Sequence, residues 1–232
     1  MTAKLILFDI DGTILLTDGA GRRAIVSAIG EEVGLSRAFD QVHFGGKTDP
    51  QIVTELLEAA GHPGPHGSDR VNAVCRRYVD LLALELGQSP GRTTVMPGVH
   101  ALLDRLEAEK GVVVGLVTGN LAQGAALKLR SAGLDPARFR VGAYGSDAAD
   151  RPALPPIAAK RAQPFFGRVV SGAEVVIIGD TPADVYCGTC IGARAIGVAT
   201  GSYSMAELEA CGAYAVFPDL SDTERVLKAI LQ

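Results

Sequence analysis

Cysteine is scarce in this 232-residue chain, and Cys75, Cys187, Cys190 and Cys211 are too few and too scattered for a disulfide scaffold. Cys187 and Cys190 form a lone CxxC without a second pair of soft ligands, so packing on a helix is expected there rather than zinc. Basic excess is missing as well. The 22 Lys and Arg against 26 Asp and Glu leave a net charge of −4, without the basic field that nucleic-acid binding requires. A local group of cations can still serve a small anionic substrate. No apolar run reaches the roughly 18 residues that span a bilayer, which excludes a transmembrane helix. Between Lys4 and Asp9 stand only four apolar residues, too short a run for a signal-peptide core. A cytoplasmic location follows as the expectation, with neither membrane nor nucleic acid as partner, and the chain acting as monomer or homodimer. Internal repeats and low-complexity tracts are absent, and His43, His62, His66 and His100 show no metal-ligand spacing.

What the chain does have is apolar bulk, 47% of its residues, ordered in short runs. Segments 5–8, 112–117, 140–143, 175–178, 195–198 and 213–217 read as strands, several of them unbroken Val, Ile and Leu. That pattern belongs to a parallel sheet covered by helices on both faces. Helices are expected between them at 99–109, 121–132, 156–165, 183–191, 205–211 and 223–231. Alternating β and α units make a doubly wound α/β core. One stretch breaks the alternation: 18–92 has no convincing strand and three helical segments at 20–32, 49–60 and 69–86, the last two joined by GHPGPHGS. We expect a core of 1–17 plus 93–232 and an inserted all-helical cap of 18–92, with linkers near Thr17 and at 89–97.

Three motifs fall at strand ends. FDIDGT places Asp9 and Asp11 at the carboxyl end of the first strand, where open α/β sheets bind ligands, while Gly12 and Thr13 shape the turn. VTGN offers the Thr118 hydroxyl with the amides of Gly119 and Asn120, a phosphate cradle at a helix start. GDTPADV supplies Asp180 and Asp184. Crowding Asp9, Asp11 and Asp180 together is costly unless a cation sits between them, and oxygen ligands favour Mg²⁺. In this order and context the motifs resemble the haloacid dehalogenase superfamily over essentially the whole chain, including the position of the cap.

The resemblance implies a HAD-like, Rossmannoid fold and a set of roles. Asp9 corresponds to a nucleophile that forms an aspartyl-phosphate, and Asp11 to the acid, then base, of the two half-reactions. Asp9, the backbone carbonyl of Asp11, and Asp180 correspond to Mg²⁺ ligands, with Asp184 orienting them from behind. Thr118 and Gly119 would hold the phosphoryl group. The family's usual Lys, at the head of a helix, is missing from its place in the matching segment DRPALPPIAAKRA. Arg151 stands at that place, and Lys160, more than two helical turns further on, is the alternative. An acid at Asp11 implies a leaving alkoxide and hence a phosphomonoester. A sugar phosphomutase is the nearest competitor. A phosphonate hydrolase using Lys47, or a catalytically silent phosphate-binding protein, stands further off. FGGKTDP, with Gly45, Gly46 and Lys47, reads as the cap's specificity loop, and Arg22 and Arg23 are further cations for a small substrate. These cations and the cap type resemble phosphoglycolate phosphatases, which makes phosphoglycolate the first substrate expected among small phosphorylated metabolites.

Overall fold

The computed structural model describes residues 3–62, 64–88 and 91–232; Ser89 and Pro90 of the expected linker and Pro63 of the loop GHPGPHGS lie outside them. The core is a six-stranded sheet whose strands all run parallel. Its strands are β1 (Lys4–Phe8), β4 (Val112–Thr118), β5 (Val141–Tyr144), β6 (Val175–Gly179), β7 (Arg194–Val198) and β8 (Ala215–Phe217), in the order β5-β4-β1-β6-β7-β8. The first strand thus lies at the centre. The chain fills the sheet outward on one side through β4 and β5, then on the other through β6, β7 and β8. The crevice at the carboxyl end of β1 is the point where the winding reverses, the position at which such sheets take ligands.

Residues of β1 alternate between two apolar layers. Ile6 and Phe8 face a cluster with Leu102, Leu106, Leu129 and Ile230, while Leu5 and Leu7 face one with Leu154, Ala158 and Val170. Both faces are therefore dry, which is why the strand reads as an unbroken apolar run. Helices α4 (Val99–Ala108), α5 (Ala122–Ser131) and α10 (Thr223–Leu231) line one face. Helices α6 (Leu154–Arg161), α7 (Gln163–Phe166) and α8 (Pro182–Cys187) lie towards the other, and α9 (Met205–Ala210) packs at the β7–β8 edge.

Between β1 and β4 the chain builds α1 (Ala20–Val33), α2 (Asp49–Ala59) and α3 (Ser68–Gln88). These three bury an apolar cluster of their own, centred on Ile25, Ile29, Val53, Leu56, Tyr78 and Leu82. Each such fully buried side chain contributes on the order of 1.5–3 kcal/mol. Two strands too short for any periodicity to reveal, β2 (Leu15–Leu16) and β3 (Thr94–Val95), pair antiparallel where the chain leaves and rejoins the core.

Two helices differ from expectation for local reasons. The one expected at 156–165 begins at Leu154, since Pro155 and Pro156 are tolerated in a first turn. It breaks at Ala162, because Pro164 has no N–H to continue the ladder and its ring crowds the carbonyl four residues back. The one expected at 183–191 stops at Cys187, before Gly188, and a single tight turn over Thr189–Ile191 follows. Cys187 is buried against the sheet and Cys190 is exposed, and neither is bonded to another cysteine.

Candidate active site

Asp9 follows β1 directly, and its amide donates to the Ile178 carbonyl of β6 at 2.9 Å, so the sheet itself sets its position. Next to it Gly12 adopts φ +84°, and a Cβ there would collide with the Asp180 carboxylate, so this turn and this acid fit only with glycine. The Thr13 hydroxyl donates to Asp180 Oδ1 at 2.9 Å. Asp184 enters from α8, whose first turn it closes: its Oδ2 accepts from the Thr181 amide at 3.0 Å and from the Thr181 hydroxyl at 2.7 Å. One oxygen each of Asp9, Asp180 and Asp184 lie within 4.8 Å of one another, and all three residues are buried.

Such crowding is paid for in part by a cation. Arg151 is only 6% exposed and its Nη2 lies 3.2 Å from Asp9 Oδ1 while donating to Asp184 Oδ1. Burial disfavours its charge, yet Asp184 and Asp9 outweigh that and raise its pKa above the ordinary value. Burial pushes Asp9 up to about 6, with Arg151 opposing and Asp184 and Asp11 adding to the rise. Asp180 is pushed up to about 8, by burial first and then by Asp184 and Asp9. One guanidinium does not neutralise three carboxylates. The oxygens of Asp9 and Asp180 have the hardness and spacing a divalent cation takes, and Arg151 keeps a buried Nε–H without a partner among the described residues. Lys160, the alternative cation, is exposed on the outer surface of α6.

Asp11 departs from expectation. Its side chain does not join the acidic cluster but turns away, 43% exposed, to accept from Lys128 Nζ at 2.8 and 2.7 Å and from Asn120 Nδ2 at 2.8 Å. Its carboxylate still raises the pKa of Asp9 but stands outside the cluster of Asp9, Asp180 and Asp184. Asn120 also donates to Thr118 Oγ1 at 2.8 Å, so its amide ties Asp11 to the end of β4. Thr118 is fully buried at that strand end, beside Gly119. Gly119 has no room for a side chain, because the Lys47 carbonyl of the loop before α2 crosses directly over it.

That crossing is where the helical block meets the core. The Asp49 amide donates to the Gly119 carbonyl at 2.8 Å, the Thr48 hydroxyl donates to the Ala149 carbonyl at 2.7 Å, and Asp49 Oδ2 accepts from the Leu121 amide at 2.8 Å. Leu121 opens α5 without a side-chain cap of its own, so a residue of α2 caps a core helix. Gly46 lies against the start of α8.

The residues enclose a cavity of about 310 Å³ lined by Asp9, Asp11, Thr118 and Arg151 from the core and by Arg22, Phe44, Lys47 and Tyr78 from the helical block. Lys47 lines it as well, with its ammonium group paired with Glu55. Arg22 lies 4.4 Å over the Phe44 ring and donates to the Phe39 and Val42 carbonyls at 2.9 and 3.1 Å. Arg23 points elsewhere, to Glu85 at 2.8 Å. His43, His62 and His100 are exposed and His66 is half-buried, outside any acidic or metal-binding cluster found among the described residues. Sequence reasoning missed Lys128, Asp49 and Tyr78. For Lys128 a signal existed: it occupies the apolar stripe of α5 with Ala125 and Leu129, an odd place for a cation.

Comparison with known proteins agrees with this architecture. The protein named "Probable phosphatase IndB" from Dickeya dadantii is 27% identical over 231 residues, 98% of this chain and 95% of the relative. The structure of CbbY from Rhodobacter sphaeroides in complex with phosphate superposes with a TM-score of 0.73 at 18% identity, covering 95% of this chain and 96% of that one. A "predicted phosphoglycolate phosphatase" from Haemophilus somnus gives a TM-score of 0.68 at 20% identity, covering 98% and 99%. At these identities the two structures establish the fold. Residues 3–192 match the family described as haloacid dehalogenase-like hydrolases, and on that match, with its motifs at three adjacent strand ends, the chain belongs to this family.

Proposed function

We propose that this protein is a Mg²⁺-dependent phosphatase that hydrolyses a small phosphomonoester through an aspartyl-phosphate on Asp9. The observation that carries the reading is the placement of the Asp9 carboxylate. It stands at the centre of the sheet's switch point, with Arg151 3.2 Å from one oxygen and the fully buried Thr118 on the adjoining strand. A carboxylate is already a nucleophile when ionised and needs no base to activate it.

In the first half-reaction an Asp9 oxygen bonds to phosphorus, the phosphorus–alcohol bond breaks, and the leaving oxygen takes a proton from the Asp11 carboxyl. In the second, Asp11 accepts a proton from water as the water oxygen attacks phosphorus. The phosphorus–Asp9 bond breaks, releasing phosphate and restoring both aspartates. Arg151 and Thr118 hold phosphoryl oxygens through both steps. Mg²⁺ held by Asp9, Asp180 and the Asp11 carbonyl, with Asp184 behind, would offset the crowded carboxylates and draw charge from the phosphoryl group.

Residues 18–92 act in this reading as a cap that closes the cavity and selects the alcohol. Of the cations lining the cavity, Lys47, Lys128 and Arg151 each have a carboxylate partner, whereas Arg22 meets two backbone carbonyls and the Phe44 ring and no carboxylate among the described residues. An anionic alcohol portion would therefore be met by Arg22, which supports phosphoglycolate as the first substrate to test. Lys47, tied to Glu55 as an ammonium, is poorly disposed to the Schiff-base chemistry of a phosphonate hydrolase.

The test is phosphate release from a panel of phosphoglycolate, hexose phosphates and an aryl phosphate. We expect turnover with Mg²⁺ that is abolished by chelator and by Asp9→Asn. Full activity in Asp9→Asn sinks the nucleophile assignment. Hexose phosphate isomerised without phosphate release, and only with a bisphosphate primer, replaces the phosphatase with a mutase. A folded protein inactive on the whole panel points to a binding protein.

A further inference from the structure

Lys128 is the most unusual group in the site that the chemistry above leaves unused. It is 4% exposed, on the apolar stripe of α5, where a Leu or Met would stabilise the helix packing without the cost of burying an ammonium. Its Nζ reaches both oxygens of Asp11, at 2.8 and 2.7 Å. All three helices of the cap converge above it. From α1, Gly21 passes so close that a Cβ on it would stand 3.3 Å from Nζ, and that same Cβ position lies 3.8 Å from the Tyr78 hydroxyl of α3. From α2, the Asp49 carboxylate is within electrostatic reach of the ammonium.

Asp11, in contrast, has an unsettled job to do from a half-exposed position. A short acid side chain on a loop samples several rotamers, and only one presents an oxygen to the leaving group. Two contacts from one ammonium and a third from Asn120 fix both the position and the plane of that carboxylate. Asn120 alone touches only Oδ2 and leaves the rotation free.

We propose that Lys128 is a positioning residue for the leaving-group step, holding Asp11 in line with the departing oxygen from a buried place beneath the cap. The proposal rests on the phosphatase reading and assigns a role to a residue outside the three motifs. It makes a prediction that a merely structural lysine does not. Loss of Lys128 must harm substrates in proportion to their need for an acid. An alkyl phosphate needs its leaving oxygen protonated, whereas 4-nitrophenyl phosphate departs as a stable phenolate.

The experiment compares kcat/KM, which reports the first half-reaction up to release of the alcohol, for wild type, Lys128→Met, Lys128→Gln, Asp11→Asn and Asp11→Asn/Lys128→Met on 4-nitrophenyl phosphate and on an alkyl phosphate the wild type accepts. General-acid assistance contributes about 100- to 10,000-fold, so Lys128→Met should lose about 100-fold on the alkyl ester and less than about 5-fold on the aryl ester. Lys128→Gln, which retains a donor, should recover part of the loss. In the Asp11→Asn background, Lys128→Met should cost no more than about 2-fold, because the group it positions is already gone. Equal losses on both esters, or a full additional loss in the double variant, overturns the proposal. Crystal structures give a second reading independent of rate. In Lys128→Met the Asp11 carboxylate should leave its place beside Asn120, and finding it unmoved also overturns the proposal. A wild type inactive on both esters is a failure of the phosphatase reading, seen before any variant is compared.

Discussion

Replacing Asp49 by Asn should make the protein less sensitive to pH, with an effect large enough to measure. Asp49 is 7% exposed and its carboxylate accepts the Leu121 amide at 2.8 Å. Burial drives its pKa from an ordinary 3.8 to about 6, with Lys128 and the Leu121 amide resisting and Asp11 adding to the rise. The native state therefore holds this proton more tightly than the unfolded chain. Stability from the group is complete below about pH 4 and is lost as pH rises through about 6. A shift of about two units at 1.36 kcal/mol each makes the loss about 3 kcal/mol by pH 8, an order-of-magnitude figure. Asn keeps an oxygen for the Leu121 amide and carries no charge at any pH. The stability of wild type minus that of Asp49→Asn should then fall by about 2–3 kcal/mol between about pH 4.5 and pH 8. Urea unfolding at the two pH values measures it, and contributions from Asp9 and Asp180 cancel in the difference. A difference that stays constant with pH, or grows as pH rises, refutes the reasoning.

Other perturbations follow from the same charges. Arg151→Met strands Asp9 and Asp184 as buried charges and should cost about 3–5 kcal/mol in urea unfolding, besides most of the turnover, while Lys160→Met on the surface should cost less than about 0.5 kcal/mol. Similar losses in the two variants contradict the placement of Arg151. Mg²⁺ at about 100 times its Kd should stabilise wild type by about 2.7 kcal/mol and leave Asp180→Asn nearly unmoved; equal shifts in melting temperature would show the ion binding elsewhere. Arg22→Gln should raise KM for phosphoglycolate about 10-fold or more relative to a neutral alkyl phosphate, while Lys47→Gln does so much less, and the reverse order would return the anion-recognising role to Lys47.

Much of the core was legible because local chemistry and global fold agree there. The strand β1 is apolar on both faces and ends in acids, a contrast visible in eight consecutive residues. Asp180 and Thr118 are legible for the same reason, each standing where an apolar run stops. Arg151 was harder, since only its order between motifs pointed to it, and burial beside Asp9 and Asp184 is a fact of packing. Partner choice was not legible at all. Nothing local says that Lys47 is spent on Glu55 eight residues on, or that Lys128 reaches Asp11 across 117 residues of sequence. The turn of the Asp11 side chain away from Asp9 is likewise settled by Lys128 and Asn120, not by the alternation of the strand. Periodicity finds faces and motifs find strand ends, but the pairing of charges across the helical block and the core depends on distances that only the folded chain sets.

Asp9 as the covalent nucleophile is the claim on which the rest depends, and it can be tested by trapping the intermediate. Wild type should be mixed with substrate and Mg²⁺, quenched in acid within a turnover, digested and analysed by mass spectrometry. The peptide containing Asp9 should carry one phosphate, with the modification on Asp9 itself and absent from Asp9→Asn. Phosphate on another residue, or steady turnover with no phosphorylated peptide at any quench time, would contradict the account.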